Sequence, residues 1–265
     1  MSQTKAYTTL LAVGQGILDE TRTLLHLWEH GMPASTLYKT ALASGSFPNI
    51  SARRLRNLIV HSFAPRFLVN GGQAAYCLKA LGHHLTSREF AQLAFLYTCR
   101  AQQILADFVI EVYWERYASG SDSISNRESR DFVARALQEG RAARPWSEKM
   151  VDRVAGYLTG TCADLGLLED GPKRSRRYLP YRIEPVTAAV LAYDLHFAGH
   201  GDNAVMGHRD WKLFGLGPPD VLAELKRLAL KRLVIVQAAA NIVRIGWNCK
   251  NLEELVNALA QGQLQ

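Results

Sequence analysis

The chain has 265 residues, of which 48% are hydrophobic and 21% charged. That is enough apolar material for a packed interior and too ordinary a balance for intrinsic disorder. A formal net charge of +7 favours anionic partners. The N-terminal MSQTKAYTTLLAVGQGILDE lacks the apolar core and cleavage site of a signal peptide. The most apolar later stretch, 233–247, is broken by Gln237, Asn241 and Arg244 and is too short to span a bilayer. Cys77, Cys99, Cys162 and Cys249 are scattered without a CxxC pair and read as reduced, buried thiols. A cytoplasmic protein is expected, without cofactor or membrane partner.

Helical periodicity dominates. Short amphipathic helices are predicted over 21–30 and 36–43, separated by Gly31 and Pro33, and Ser51 then caps a helix to about Phe63. Thr86 and Glu89 form a capping box for a long helical region reaching towards Tyr117, with a bend near Cys99–Gln103. ASGSDSISN at 118–126 reads as a linker. Beyond it Ser125 and Glu128 cap a helix ending near Gly140, and Ser147 starts another with Met150, Val151, Val154, Leu158 and Leu165 on one side. Helices follow over 184–198 and 218–232. The runs LVIVQ and NIVRIGW then pair about a turn at 238–240, before a last helix over 252–259. Gly14-Gln15-Gly16 reads as a small turn or helix-start motif, and Gly71-Gly72 as a turn. The fold class is therefore mainly α, in two parts: a helical domain over 1–118 with a helix–turn–helix-like segment, and a helical domain over 126–265. The second carries two short β pairs, one of which resembles the wing of a winged helix.

The wing is GPKRSRRYLPYRI, with five basic residues between Lys173 and Arg182 and no acid. Arginine suits phosphate because its planar fork of donors stays ionised. Strand alternation places Arg177, Leu179, Tyr181 and Ile183 on a core face, with Arg176, Tyr178, Pro180 and Arg182 opposite. The expected contacts are Lys173, Arg174, Arg176 and Arg182, with Arg177 flanking. A second basic surface is SARRLRNLIVHSF, where Leu55, Leu58, Ile59 and Phe63 face inward. Arg53, Arg54, Asn57 and His61 face outward, with Arg56 on the flank. Lys226, Arg227, Lys231 and Arg232 form a third cluster, read as complementing a helix C-terminus. In each case the competing reading is an ordinary solvated face.

Chemistry is sparse. His196, His200, Asp202, His208 and Asp210 could furnish a metal shell, but Gly199 and Gly201 break the helix that would align them, and no HExxH is present. Asp107, Glu111 and Glu115 share a helix face, with Arg116 as a simple partner. No phosphate-binding GxxxxGK[ST] loop or GxSxG elbow occurs.

GILDETRTLLHLWEHG, SARRLRNLIVHSFAPRFL, ILADFVIEVYWERY, WSEKMVDRVAGYLTGTCADLGLLED with its basic hairpin, HRDWKLFGL and NIVRIGWNCKNLEEL follow one another along the chain. In that order they resemble the BrxA family of bacterial BREX phage-defence systems. The resemblance implies a non-enzymatic, mainly helical, DNA-binding cytoplasmic protein serving a multi-gene defence system, with a fold partly similar to the antitermination factor NusB. It brings no catalytic motif to map. Double-stranded DNA is the expected partner, with other BREX proteins beside it. A protein-interaction adaptor, an RNA-binding protein and a metal-dependent nuclease are the alternatives.

Overall fold

In a computed structural model of the protein, which describes residues 6–14, 17–171, 174–239 and 242–261, helices take up most of the chain. Among the described residues the strands form two two-stranded antiparallel sheets. After a 3-10 turn at Leu10–Gly14 come α1 (Leu18–Leu27), α2 (Ala34–Ala43) and α3 (Ala52–Leu58). Ser51 caps α3 by accepting a hydrogen bond from the Arg54 amide at 3.3 Å. The helix continues through a π-helical turn, Ile59–Phe63, into α4 (Ala64–Phe67). Pro65 has no amide hydrogen and its ring crowds the preceding turn, so a local widening is the natural relief.

Next are α5 (Gln73–Leu81), α6 (Ser87–Ala101) and α7 (Gln103–Phe108), then a second π turn, Val109–Tyr113, and α8 (Trp114–Ala118). The expected capping box opens α6: Glu89 accepts from the Thr86 amide at 2.7 Å while Thr86 accepts from the Glu89 amide at 3.2 Å. The expected bend falls at Gln102, whose φ of −123° and ψ of 88° separate α6 from α7. The chain then forms β1 (Ser123–Ser125), α9 (Asn126–Gln138), α10 (Glu148–Asp164) and β2 (Ser175–Arg177). Ser125 with Glu128, and Ser147, cap α9 and α10 as their sequences predict.

Two compact units interleave along the sequence. One comprises Met1–Lys79 and Ala94–Pro180; the other comprises Ala80–Leu93 and Tyr181–Gln265. Both sides of 118–126 fall in the first unit, and the stretch expected to be a linker supplies β1 instead. Its Ser-Ile-Ser alternation is the reason: Ile124 is fully buried between two more exposed serines. β1 and β2 pair antiparallel with Ile124 opposite Arg176. Residues 167–169 lie along the other edge of β2, where the Glu169 amide donates to the Arg177 carbonyl at 2.8 Å.

The second unit adds α11 (Pro185–Phe197), α12 (Asp202–Met206), α13 (Pro218–Leu230), β3 (Val234–Ala239), β4 (Ile242–Trp247) and α14 (Leu252–Ala260). Helix α11 is apolar nearly all round and buried from Val186 to Tyr193. The Tyr193 hydroxyl donates to the Leu233 carbonyl and accepts from the amides of Asn248 and Cys249, tying the hairpin's base to α11. The predicted pairing of β3 with β4 is present, with Ala239 opposite Ile242, and their turn lies outside the described residues, as do Gln15 and Gly16. All four cysteines are buried and none is in a disulfide. Among the described residues no helix is long and apolar enough to cross a membrane.

Gly71 and Gly72 both adopt left-handed backbone, but a Cβ on Gly72 would lie 2.7 Å from the Trp28 ring, whereas one on Gly71 would meet nothing. Gly72→Ala is therefore expected to cost about 2–4 kcal/mol, combining backbone strain with overpacking, and Gly71→Ala about 1 kcal/mol. Denaturant unfolding of the two variants checks the difference.

Candidate nucleic-acid interface

In the first unit the basic hairpin is built outward from an aromatic base. Tyr178 packs edge-on against Tyr113 (ring centroids 5.0 Å apart) and Tyr117 (5.6 Å). Tyr113 also donates to the Leu167 carbonyl at 2.9 Å, so the second π turn holds the hairpin's other edge. Burial raises the phenol pKa values of Tyr113 and Tyr178 above the ordinary tyrosine range.

The alternation expected for the hairpin is reversed. Arg176 and Tyr178 turn inward and Arg177 outward, because Arg176 stands opposite buried Ile124 and directly paired residues share a sheet face. The Arg176 side chain is only 11% exposed, and its guanidinium reaches Asp170 at 3.2 Å and the Glu169 carbonyl at 3.4 Å. It fastens the loop. Arg174 and Arg177 are exposed, and neither makes an ion pair among the described residues. Lys173 lies outside the described residues.

Arg182 does not continue the strand. It belongs to the second unit, where its guanidinium stands 3.8 Å from the Glu224 carboxylate, which also binds Arg227. Its carbonyl accepts from the Gln92 amide at 2.7 Å, while Gln92 accepts from the Glu184 amide at 2.8 Å. Arg88 completes this corner with a 2.8 Å ion pair to Glu184.

The second basic surface takes its expected form. Leu55, Leu58, Ile59 and Phe63 are buried, while Arg53, Arg54, Arg56 and His61 are exposed. None of the three arginines forms an ion pair among the described residues. Arg53, Arg54, Asn57 and Ser51 line an open cleft of about 490 Å³, closed on its other side by Ala12 and Val13. The 3-10 turn carrying Ala12 and Val13 packs against both α3 and α10, so one short segment neighbours this surface and the helix preceding the hairpin.

Sequence periodicity finds the buried side of α10 and passes over the other side, where Lys149 and Arg153 are exposed. Their spacing of four, opposite Val151, Val154 and Leu158, is the signal that could have found them. The C-terminal half of α10 is covered: Thr161, Asp164 and Leu165 line a small cavity with Ile17, Thr21 and Arg66, where burial pushes the Arg66 pKa down to about 10.

The candidate catalytic groups serve the fold. Asp107 accepts from the Tyr7 hydroxyl at 2.6 Å and from Gln103 at 2.7 Å. Glu111 accepts from Arg141 at 2.8 Å, while Arg116, expected to partner these carboxylates, pairs instead with Glu128 at 2.7 Å. The Asp107 and Glu111 carboxylates thus tie the N-terminal segment to the loop after α9. His196 stacks on Trp247 at 4.2 Å, and Asp202 accepts from the Ile245 amide at 3.0 Å. Among the described residues no group of three His, Cys, Asp or Glu side chains is placed to hold a metal ion.

The family model BrxA matches residues 5–194 of the chain. The crystal structure of an uncharacterized protein from Magnetospirillum magneticum is similar at 14% identity and a TM-score of 0.56, covering 72% of this chain and 95% of that one. No curated protein matches.

The unequal roles of the two neighbouring arginines give a stability test. Arg176→Ala removes a largely buried stem and its hydrogen bonds, and is expected to cost about 1–2 kcal/mol. Arg177→Ala should stay within about 0.5 kcal/mol of the parent protein. Thermal and denaturant midpoints measure both.

Proposed function

The chain belongs to the BrxA family of bacterial BREX phage-defence systems, and from that premise we propose that it is a non-enzymatic accessory protein that binds double-stranded DNA mainly through the phosphate backbone. The observation that carries the reading is the pairing of β1 with β2. It closes α8, β1, α9, α10, the 167–169 segment and β2 into the order of a winged helix, in which a hairpin follows the second of two packed helices. The hairpin is the wing, and Arg174 and Arg177 are its phosphate contacts. Arg53, Arg54 and Arg56 supply a second cationic surface on the same unit.

Backbone contacts position a protein on a duplex without carrying sequence information, and each displaces condensed counterions. Affinity is therefore expected to fall steeply with salt and to vary little among unrelated sequences. Other proteins of the defence system would meet this one on DNA.

A fluorescent-duplex titration at several salt concentrations tests the proposal. Arg174→Ala/Arg177→Ala should weaken binding to unrelated duplexes alike and lower the magnitude of the log–log salt slope by about 2. Wild-type binding with no salt dependence, or preferential binding of RNA, would overturn it.

A further inference from the structure

The outward side of α10 carries an arrangement that the fold does not use. At 100° per residue, Lys149, Arg153, Gly156 and Gly160 fall within a sector about 60° wide. It lies opposite the buried stripe of Val151, Val154, Leu158 and Cys162. Lys149 and Arg153 are exposed, and neither makes an ion pair among the described residues. Glu148 and Asp152 lie on the flank, and Asp152 is already bound by Arg130 at 2.6 Å. The face therefore presents two uncompensated cations one helical turn apart, a charge that suits a polyanion.

Gly156 is the unexplained member. Glycine in the interior of a 17-residue helix weakens it, and packing gives no reason for it, since an added Cβ would meet nothing within 4 Å. Gly160, one turn further on, leaves the same sector without a side chain. Bare backbone directly beyond two free cations leaves room for what those cations attract to come close.

We infer that α10 is the groove-entering helix of the DNA-binding unit and lays its Lys149–Arg153–Gly156 face into the major groove of a B-form duplex. The inference rests on the DNA-binding reading above and assigns it a second kind of contact. The major groove is about 12 Å wide and admits a helix 10–12 Å across. From Lys149 to Gly156 the helix rises ~10 Å, with its C-terminal turns already packed in the protein. Lys149 and Arg153 face guanine edges or the phosphates lining the groove, and Gly156 permits the approach. The duplex is DNA, because the major groove of A-form RNA is too deep and narrow for such entry.

The full chain is titrated with an ordinary duplex and with one whose cytosines carry 5-glucosyloxymethyl groups, which fill the major groove and leave the phosphates unchanged. Wild type should bind the filled duplex about tenfold more weakly or worse. Gly156→Phe should lose a similar factor on the ordinary duplex and no longer distinguish the two, while Gly156→Ala should bind the ordinary duplex less tightly than wild type although it melts at a higher temperature. Lys149→Ala/Arg153→Ala, two exposed positions, repeats the affinity test where Gly156→Phe fails to fold. Equal wild-type affinity for both duplexes, or wild-type affinity in the folded Gly156→Phe and Lys149→Ala/Arg153→Ala variants, overturns groove entry while DNA binding stands. Absence of duplex binding by wild type overturns the underlying reading instead.

Discussion

Ile124 lies opposite Arg176 in a ladder three residues long, and the opposite orientations of Arg176 and Arg177 follow from that pairing. Directly opposed residues share a face, so burying Ile124 carries Arg176 inward and sends Arg177 out. A slip of one residue would reverse the set, burying Arg177 against the aromatic base and exposing the isoleucine. The register is over-determined from both sides. Tyr113, Tyr117 and Tyr178 interlock beneath the hairpin, and 167–169 pair along its second edge. A short ladder of little intrinsic stability is thus fixed by what it buries.

The protein separates its cations into two populations. Arg141, Arg116, Arg130 and Arg176 each reach a carboxylate and hold one segment to another, and Arg227 pairs with Glu224 within α13. Arg53, Arg54, Arg56, Lys149, Arg153, Arg174 and Arg177 have no acidic partner among the described residues. These seven belong to the first unit, and the side chains of Lys212, Lys226, Arg244 and Lys250 of the second unit are likewise without an acidic partner among the described residues. A modest net charge can therefore coexist with a locally strong field, since what an anionic partner meets is the unpaired population rather than the total.

Much of the helical architecture is legible in sequence because its signals are local. Ser51, Thr86 with Glu89, Ser125 with Glu128, and Ser147 all mark helix starts, and a cap is decided within one turn. Strand β1 is not legible: a single isoleucine among serines matches a linker, and its partner stands 52 residues away, in a part of the chain no local window includes. The hairpin's faces read the wrong way round in sequence because Leu179, Tyr181 and Ile183 imply a strand that continues in phase with Arg177. The chain instead leaves the ladder after Tyr178, so their parity says nothing about Arg177. The open side of α10 escapes for a different reason, since periodicity is usually read for what it buries.

The interleaving of the two units governs how the molecule can be taken apart. The chain passes from one unit to the other at 79/80, 93/94 and 180/181, the middle passage falling inside the continuous helix α6. A fragment ending at Pro180 keeps residues 80–93 but strips Gln92 of both backbone partners and Arg88 of Glu184. A fragment beginning at Tyr181 lacks those residues altogether. Neither half is a natural proteolytic product with intact surfaces. During synthesis, the corner around Gln92 waits for about ninety further residues before its partners exist.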